Sequence, residues 1–215
     1  MLTKRKEKYL KKIYYDPSHV AAYGGVNVLR DFVKQDGKYN ITKNDIQKFL
    51  ESQEVYSTHV TKNKPKSWYG LTTLGPNKLF DVDSAYFDFA DGPNDYKKFI
   101  VLIDTFSKKL RAVPVHNLRA GTVTKALMPL IRELKGTEFL RHDAGVEYRN
   151  STLKRALDQA GIRSIISQPP YKSSASERAI RTLKNRLYRH MQATGKKDWA
   201  SFLPQVVKAY NNRKH

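Results

Sequence analysis

Lys78-Leu79-Phe80-Asp81-Val82-Asp83-Ser84-Ala85-Tyr86-Phe87 sets two carboxylates inside an apolar, strand-like run. A strand alternates faces, so Asp81 and Asp83 point the same way as Leu79 and Ala85, and Phe80, Val82 and Ser84 take the other side. Acids in such a run are costly unless a cation or hydrogen bonds satisfy them. One of the two is therefore expected to be a ligand. The plainer alternative is a strand-end acid in water.

Two more acids extend the pattern. Glu138-Phe139-Leu140-Arg141-His142-Asp143 is a second apolar run, and it leads into Ala144-Gly145-Val146-Glu147-Tyr148. Asp143 thus ends a strand, where α/β sheets present ligands. Glu147, four residues on, is open to a role as a second acid but is expected first to order the loop. Glu177 opens a basic helix, Ser176-Glu177-Arg178-Ala179-Ile180-Arg181-Thr182-Leu183-Lys184. On a helical wheel Ile180, Leu183, Leu187 and Met191 form the core face. Glu177, Arg181, Lys184 and Tyr188 run along its border. Alone, Glu177 and Arg181 would read as a solvated i,i+4 pair worth tenths of a kcal/mol. With Asp83 and Asp143 present, one acid and two bases are expected to share a cleft. Asp104, before Thr105-Phe106-Ser107, suits a turn cap as well as a ligand.

The flanking pattern gives the fold class. Strands are expected at about 79–87, 99–103 and 110–116, as an antiparallel meander. The first turn is read at Asp91-Gly92-Pro93-Asn94-Asp95. A helix at about 122–134 follows, with a kink at Pro129. Then come a strand at 138–142, a helix capped by Asn150 or Ser151 and ended by Gly161, and a strand at 162–166. The loop Gln168–Lys172 leads to helices at about 174–192 and 198–212. The expectation is α/β: a mixed five-stranded sheet covered by helices. Upstream, residues 1–54 are expected to form a small helical domain. Its stripe Val28, Leu29, Phe32, Val33 ends near Gly37, and Thr42 with Asp45 comes close to a capping box. The pair resembles a helix-turn-helix, open to either DNA contact or a structural role. Residues 55–78 read as a basic linker, a tether or a backbone-tracking segment, and 79–215 as the main domain. The Lys4–Lys12 cluster reads first as a solvated tail, then as a phosphate contact or nuclear address.

The chain has 215 residues, 40 Lys and Arg against 20 Asp and Glu, and a net charge of +20. Residues 177–215 alone carry ten bases and two acids. That is the electrostatic footprint of a polyanion binder, with general solubility as the bland alternative. There is no cysteine, and the six histidines do not pair at short spacing, so no zinc site is expected. Apolar runs fall short of the ~18–20 residues of a membrane span. The start lacks a secretory signal, so an intracellular protein is expected.

Taken together these motifs resemble the catalytic core of retroviral-type integrases, which has an RNase H-like fold and an Asp, Asp, Glu triad. Phe80-Asp81-Val82-Asp83 resembles the family's Trp-Gln-x-Asp. Ile103-Asp104-Thr105-Phe106-Ser107 resembles its Asp-x-Phe-Ser stretch. His142-Asp143-Ala144-Gly145-Val146-Glu147-Tyr148 resembles Asp-x-Gly-x-Glu-Phe. Lys172 through Lys184 is similar to the Lys-Ala-Ser-x-x-Glu-Arg-x-x-Arg-Thr-Leu-Lys of Polinton/Maverick element integrases. Tyr210-Asn211-Asn212 with His215 matches the closing Tyr-Asn-x-x-x-His. Tyr14-Tyr15-Asp16-Pro17 through Gly24-Gly25 also looks like those elements. The departures are a spacing of 33 residues between Asp143 and Glu177, slightly short of the usual, and no visible His-His-Cys-Cys module. Phe80 and Asp81 also replace the usual Trp and Gln, which leaves Asp81 open beside Asp83 as first acid. Ending at His215, the chain is expected to be a truncated or trimmed product or a degraded copy.

The resemblance implies catalytic and metal-holding roles for Asp83, Asp143 and Glu177, with two Mg²⁺ or Mn²⁺ ions and no zinc. It implies DNA contacts by Arg181 and Lys184, and 3′-end processing and strand transfer on element ends and target duplex. It also implies a homo-oligomer, dimer or tetramer, working in the nucleus of a eukaryotic host. The alternatives are a nuclease of the same fold without strand transfer and a dead DNA-binding remnant.

Overall fold

Alternation of Phe80 and Val82 against Asp81 and Asp83 makes β1 (Leu79–Tyr86) the central strand of one sheet. The others are β2 (Lys98–Asp104), β3 (Leu110–Val115), β4 (Phe139–His142) and β5 (Arg163–Ile166), in the order β3-β2-β1-β4-β5. The first three pair antiparallel, and β4 and β5 join parallel. The computed structural model describes residues 2–58, 75–87, 96–133, 136–167 and 174–213. The basic stretch 61–67, the turn 91–95, the loop 168–172, Ser173 and His215 lie outside the described residues.

Helices cover both faces, as the sequence leads one to expect. On one face α5 (Ala120–Arg132) and α6 (Ser151–Gln159) bury Val123, Leu127, Ile131, Leu153 and Leu157 against Phe80, Val82, Ile100, Leu102 and Leu140. α5 runs on through Pro129. A proline this far into a helix removes one backbone donor without ending it. Asn150, rather than Ser151, caps α6 by accepting from the Leu153 amide at 2.8 Å. On the other face α7 (Ser174–Thr194) and α8 (Trp199–Asn211) press Ala179, Leu183, Leu187, Trp199 and Leu203 onto Ala85, Phe99, Val101 and Ile103. Asn211 exchanges two 2.8 Å hydrogen bonds with the backbone of Leu110 and so fastens α8 to the edge strand β3.

The N-terminal run departs from a solvated tail. Lys4–Tyr15 is α1, capped by Thr3, because Leu10, Ile13 and Tyr14 share one buried face. It packs with α2 (Val26–Asp36) and α3 (Lys43–Glu51) around Leu29, Ile46, Phe49 and Leu50. Thr42 and Asp45 complete the capping box, and Gly37 takes φ 67° to end α2. α4 (Glu54–Thr58) buries Val55 where a linker was expected to begin.

This helical unit rests on the back of α7. The Tyr23 hydroxyl lies 3.0 Å from His190 Nδ1. Arg189 donates to the Tyr23 carbonyl, and Arg186 donates to the Val20 carbonyl at 3.3 Å. Arg186, Arg189 and His190 are buried as a result. α7 is thus covered on two sides.

Candidate active site

Parallel pairing sets Phe80 opposite Leu140 and Asp81 opposite Arg141. Two residues further along both chains stand Asp83 and Asp143. Side-chain parity puts all four residues on the α7 side of the sheet.

The lower pair is closed. Arg141 Nε and one terminal nitrogen donate to the two Asp81 carboxylate oxygens, each at 2.7 Å. Asp81 is wholly buried. Burial raises its carboxyl and the guanidinium opposes that rise. A fork-to-fork pair uses both oxygens, so Asp81 has little left to offer a cation. Asp83 is the half-buried acid of the two, with one oxygen accepting from the Ser84 amide at 2.8 Å.

Asp83 also feels other carboxylates. Its pKa is pushed up to about 6, first by burial and then by the charges of Asp143, Glu177 and Glu147. Like charges nearby disfavour ionisation. Asp143 and Glu177, the other two acids singled out in the sequence, thus both lie near enough to raise Asp83, and Glu147 adds to them. Among the described residues, however, no three His, Asp or Glu side chains converge closely enough to enclose a metal ion.

The loop after β4 shapes the site. Asp143 Oδ1 accepts from the Gly145 amide at 3.0 Å. A side chain at Gly145 would bring its Cβ to 2.6 Å from Glu147 Oε2 and 2.9 Å from Asp143 Oδ1. Both carboxylates lie close over the bare glycine. Glu147 also accepts from the Ser84 hydroxyl at 3.2 Å, so it ties the loop to β1 as well as ordering it. The donor set is all carboxylate, which suits hard cations such as Mg²⁺ or Mn²⁺.

Glu177 lies exposed in the first turn of α7, where the positive end of the helix favours a carboxylate. Arg181 is exposed and Lys184 half-buried one and two turns on. Tyr188, on the same border, stacks on Phe87 at 4.5 Å. Asp104 caps a turn: its carboxylate accepts from the amides of Phe106 and Ser107 at 3.1 Å and from the Ser107 hydroxyl. Sequence reasoning missed the role of Arg141. No local pattern gives it, because Arg141 stands sixty residues from Asp81 and meets it only through the β1–β4 pairing.

No protein-family model matches the chain. It is 26% identical over 174 residues to the Pol polyprotein of Radiation murine leukemia virus (strain Kaplan), which is 79% of this chain and 30% of that protein. It is 31% identical over 121 residues to a transposon-derived protein of Caenorhabditis elegans, 55% of this chain and 42% of that one. The chain therefore spans less than half the length of these curated relatives. Among solved structures, the simian T-cell lymphotropic virus intasome in complex with PP2A regulatory subunit B56 gamma superposes with a TM-score of 0.61. Its identity is 19%, over 88% of this chain and 69% of that one. The catalytic core domain of BIV integrase gives 0.54 at 20% identity, covering 65% of this chain and 86% of that chain. The HTLV-2 integrase catalytic core domain in complex with magnesium gives 0.54 at 16%, covering 63% and 86%. The fold is that of retroviral integrase catalytic cores, with a small helical part in front. Among the described residues no helix is long and apolar enough to cross a membrane.

Proposed function

We propose that this chain is the catalytic part of a mobile-element DNA integrase, a polynucleotidyl transferase that trims DNA 3′ ends and joins them to a target duplex. One observation carries the reading: Asp143, just after β4, and Glu177, in the first turn of α7, both raise the carboxyl of Asp83 on the adjacent β1, within an integrase fold on a chain bearing +20. The solved structures include one in complex with magnesium and one intasome, which supports metal and DNA as partners. Kinship with Polinton/Maverick elements rests on the run Lys172 to Lys184, with the stretch Tyr14 to Gly25 beside it. Work on such DNA belongs in the nucleus of a eukaryotic host.

Asp83, Asp143 and Glu177 would hold one or two divalent cations, which supply activation of the attacking oxygen and neutralisation of the departing one. The chain's own residues do the rest. Arg181 and Lys184 on α7 hold phosphates beside the scissile bond. Asp83, whose carboxyl burial and neighbouring acids push up, would be held in its charged form by a nearby cation. The Asp81–Arg141 pair keeps β1 and β4 in register beneath it. In trimming, a water oxygen attacks phosphorus, the new P–O bond forms and the bond to the leaving 3′-oxygen breaks, freeing a 3′-hydroxyl. In joining, that hydroxyl attacks a target phosphorus and displaces the target's 3′-oxygen. Neither step forms a bond to the enzyme. Joining two ends needs two such sites, hence a dimer or tetramer.

The test is incubation with labelled duplex oligonucleotides bearing candidate element ends, with Mg²⁺ or Mn²⁺. Trimmed and joined products are expected, and Asp143→Asn should reduce them about 10³-fold or more, in line with losing one electrostatic stabiliser. Gly145→Ala, which changes no charge, should lower them by displacing both carboxylates. Trimming without joining would point to a nuclease of the same fold. Tight binding without any metal-dependent product would mark a dead remnant.

A further inference from the structure

The base-rich N-terminal helix and its attachment to α7 are not used by the reaction described above. α1 holds Lys4, Arg5, Lys6, Lys8, Lys11 and Lys12 against a single acid, Glu7. Two of the bases are engaged: Lys6 donates to the Asn40 carbonyl at 2.6 Å, and Lys11 pairs with Glu7 at 2.9 Å. Lys4, Arg5, Lys8 and Lys12 are exposed. At 100° per residue they fall within about a third of the helix circumference, opposite buried Leu10, Ile13 and Tyr14. Lys4, Lys8 and Lys12 succeed one another every ~6 Å along the axis. The stripe contains no acid. A duplex, with one negative charge per ~1.7 Å of its axis, is the complementary surface.

The stripe is also carried on a fixed arm. Tyr14 and Tyr15 of α1 pack edge-on against Tyr23 at 5.5 and 5.9 Å. Tyr23 in turn meets His190 and Arg189 of α7, the helix whose first turn bears Glu177. Tyr9 fixes the far side by donating to Asp36 at 2.6 Å and packing on Tyr39. A polar clasp buried in an aromatic box has few alternative arrangements.

We propose that the exposed bases of α1, Lys4, Arg5, Lys8 and Lys12, form a second DNA-backbone contact. The Tyr23–His190–Arg189 clasp holds this contact at a constant offset from the acids of the sheet. The inference rests on the reading that this chain acts on duplex DNA, but needs neither metal nor turnover.

The test uses the 215-residue chain without divalent cation, so that a failure of catalysis and a failure of this contact are told apart. Duplex affinity is measured against salt, and hydroxyl-radical footprints are recorded. Lys4→Gln, Arg5→Gln, Lys8→Gln and Lys12→Gln together keep the helix and remove the charge. They should lower the slope of log affinity on log salt by about 2 to 4, at ~0.9 per lost phosphate contact. One patch of the footprint should disappear. The clasp variant, Tyr23→Phe with His190→Leu, keeps the α1 charges. It should keep the core patch and blur the second one. An unchanged slope and footprint in the charge variant, or no duplex binding by the parent, would overturn the contact. A second patch that stays sharp in the clasp variant would overturn the fixed offset. Circular dichroism of each variant checks that the helices remain.

Discussion

Burial and three neighbouring carboxylates make Asp83 costly to ionise in the folded chain. Its carboxyl titrates at about 6 instead of the ordinary 3.8. The folded state thus binds this proton more tightly than the unfolded state does. Stability therefore falls as pH rises from about 4 to about 6, and the full penalty persists above that range. A two-unit rise corresponds to at most ~3 kcal/mol, and partial solvent contact reduces it to about 1–2 kcal/mol. Asp83→Asn should raise the thermal midpoint at pH 8, and the gain should vanish by pH 4. Mg²⁺ should raise the midpoint of the parent and leave that of the variant unmoved. A parent midpoint indifferent to Mg²⁺ at pH 8 would count against Asp83 as a ligand. In the sequence, the acid-bearing strand could be read from alternation alone. Which acid stays open could not, because the partner that closes Asp81 is sixty residues away.

At the scale of elements, the strands and helices of the sheet were legible to within a residue or two. Each is a local apolar period bounded by turn residues, and both signals lie in the sequence itself. Outside the sheet domain, α1 and the short α4 were not foreseen. Six bases in twelve residues hide an amphipathic helix whose stripe is only Leu10, Ile13 and Tyr14, with Tyr9 and Tyr15 beside it. What joins elements is less visible than what makes them, and the Asp81–Arg141 pair is the clearest case. It staples β1 to β4 directly beneath the site. Arg141→Met should cost about 3–5 kcal/mol, because it leaves Asp81 charged and buried without a partner. Adding Asp81→Leu should recover most of that loss. Urea unfolding of the two variants measures both effects. If the single variant costs under ~1 kcal/mol, the pair does not hold the strands together.

Over the whole molecule, the helical unit and the sheet behave as neighbours sharing α7. Ala179, Leu183 and Leu187 of that helix face the sheet, and Arg186, Arg189 and His190 face the helical unit. Burial pulls the Arg186 guanidinium down to about 9, with Arg213 and Arg189 adding repulsion. Removing residues 1–58 would bare this basic surface and break the clasp. The shortened chain should melt at least ~5 °C lower, about 2 kcal/mol for a domain of this size. An unchanged midpoint would mean that the two parts fold independently. The apolar face of α7 was readable on a helical wheel. Its second buried face was not, because Arg and His among polar neighbours look like solvated charge until another unit covers them. Local pattern alone settles the types and order of the sheet elements, the basic excess and the positions of three acids, one inside β1, one just after β4 and one in the first turn of α7. Those features depend on residues close together in the chain. It takes the folded chain to show that Asp81 is spent on Arg141, that Glu147 and Asp143 lie over Gly145, and that α7 is roofed by an N-terminal helical unit. Each of these needs contact between segments that no local pattern relates, and burial, which sets their charge states, exists only once those segments meet.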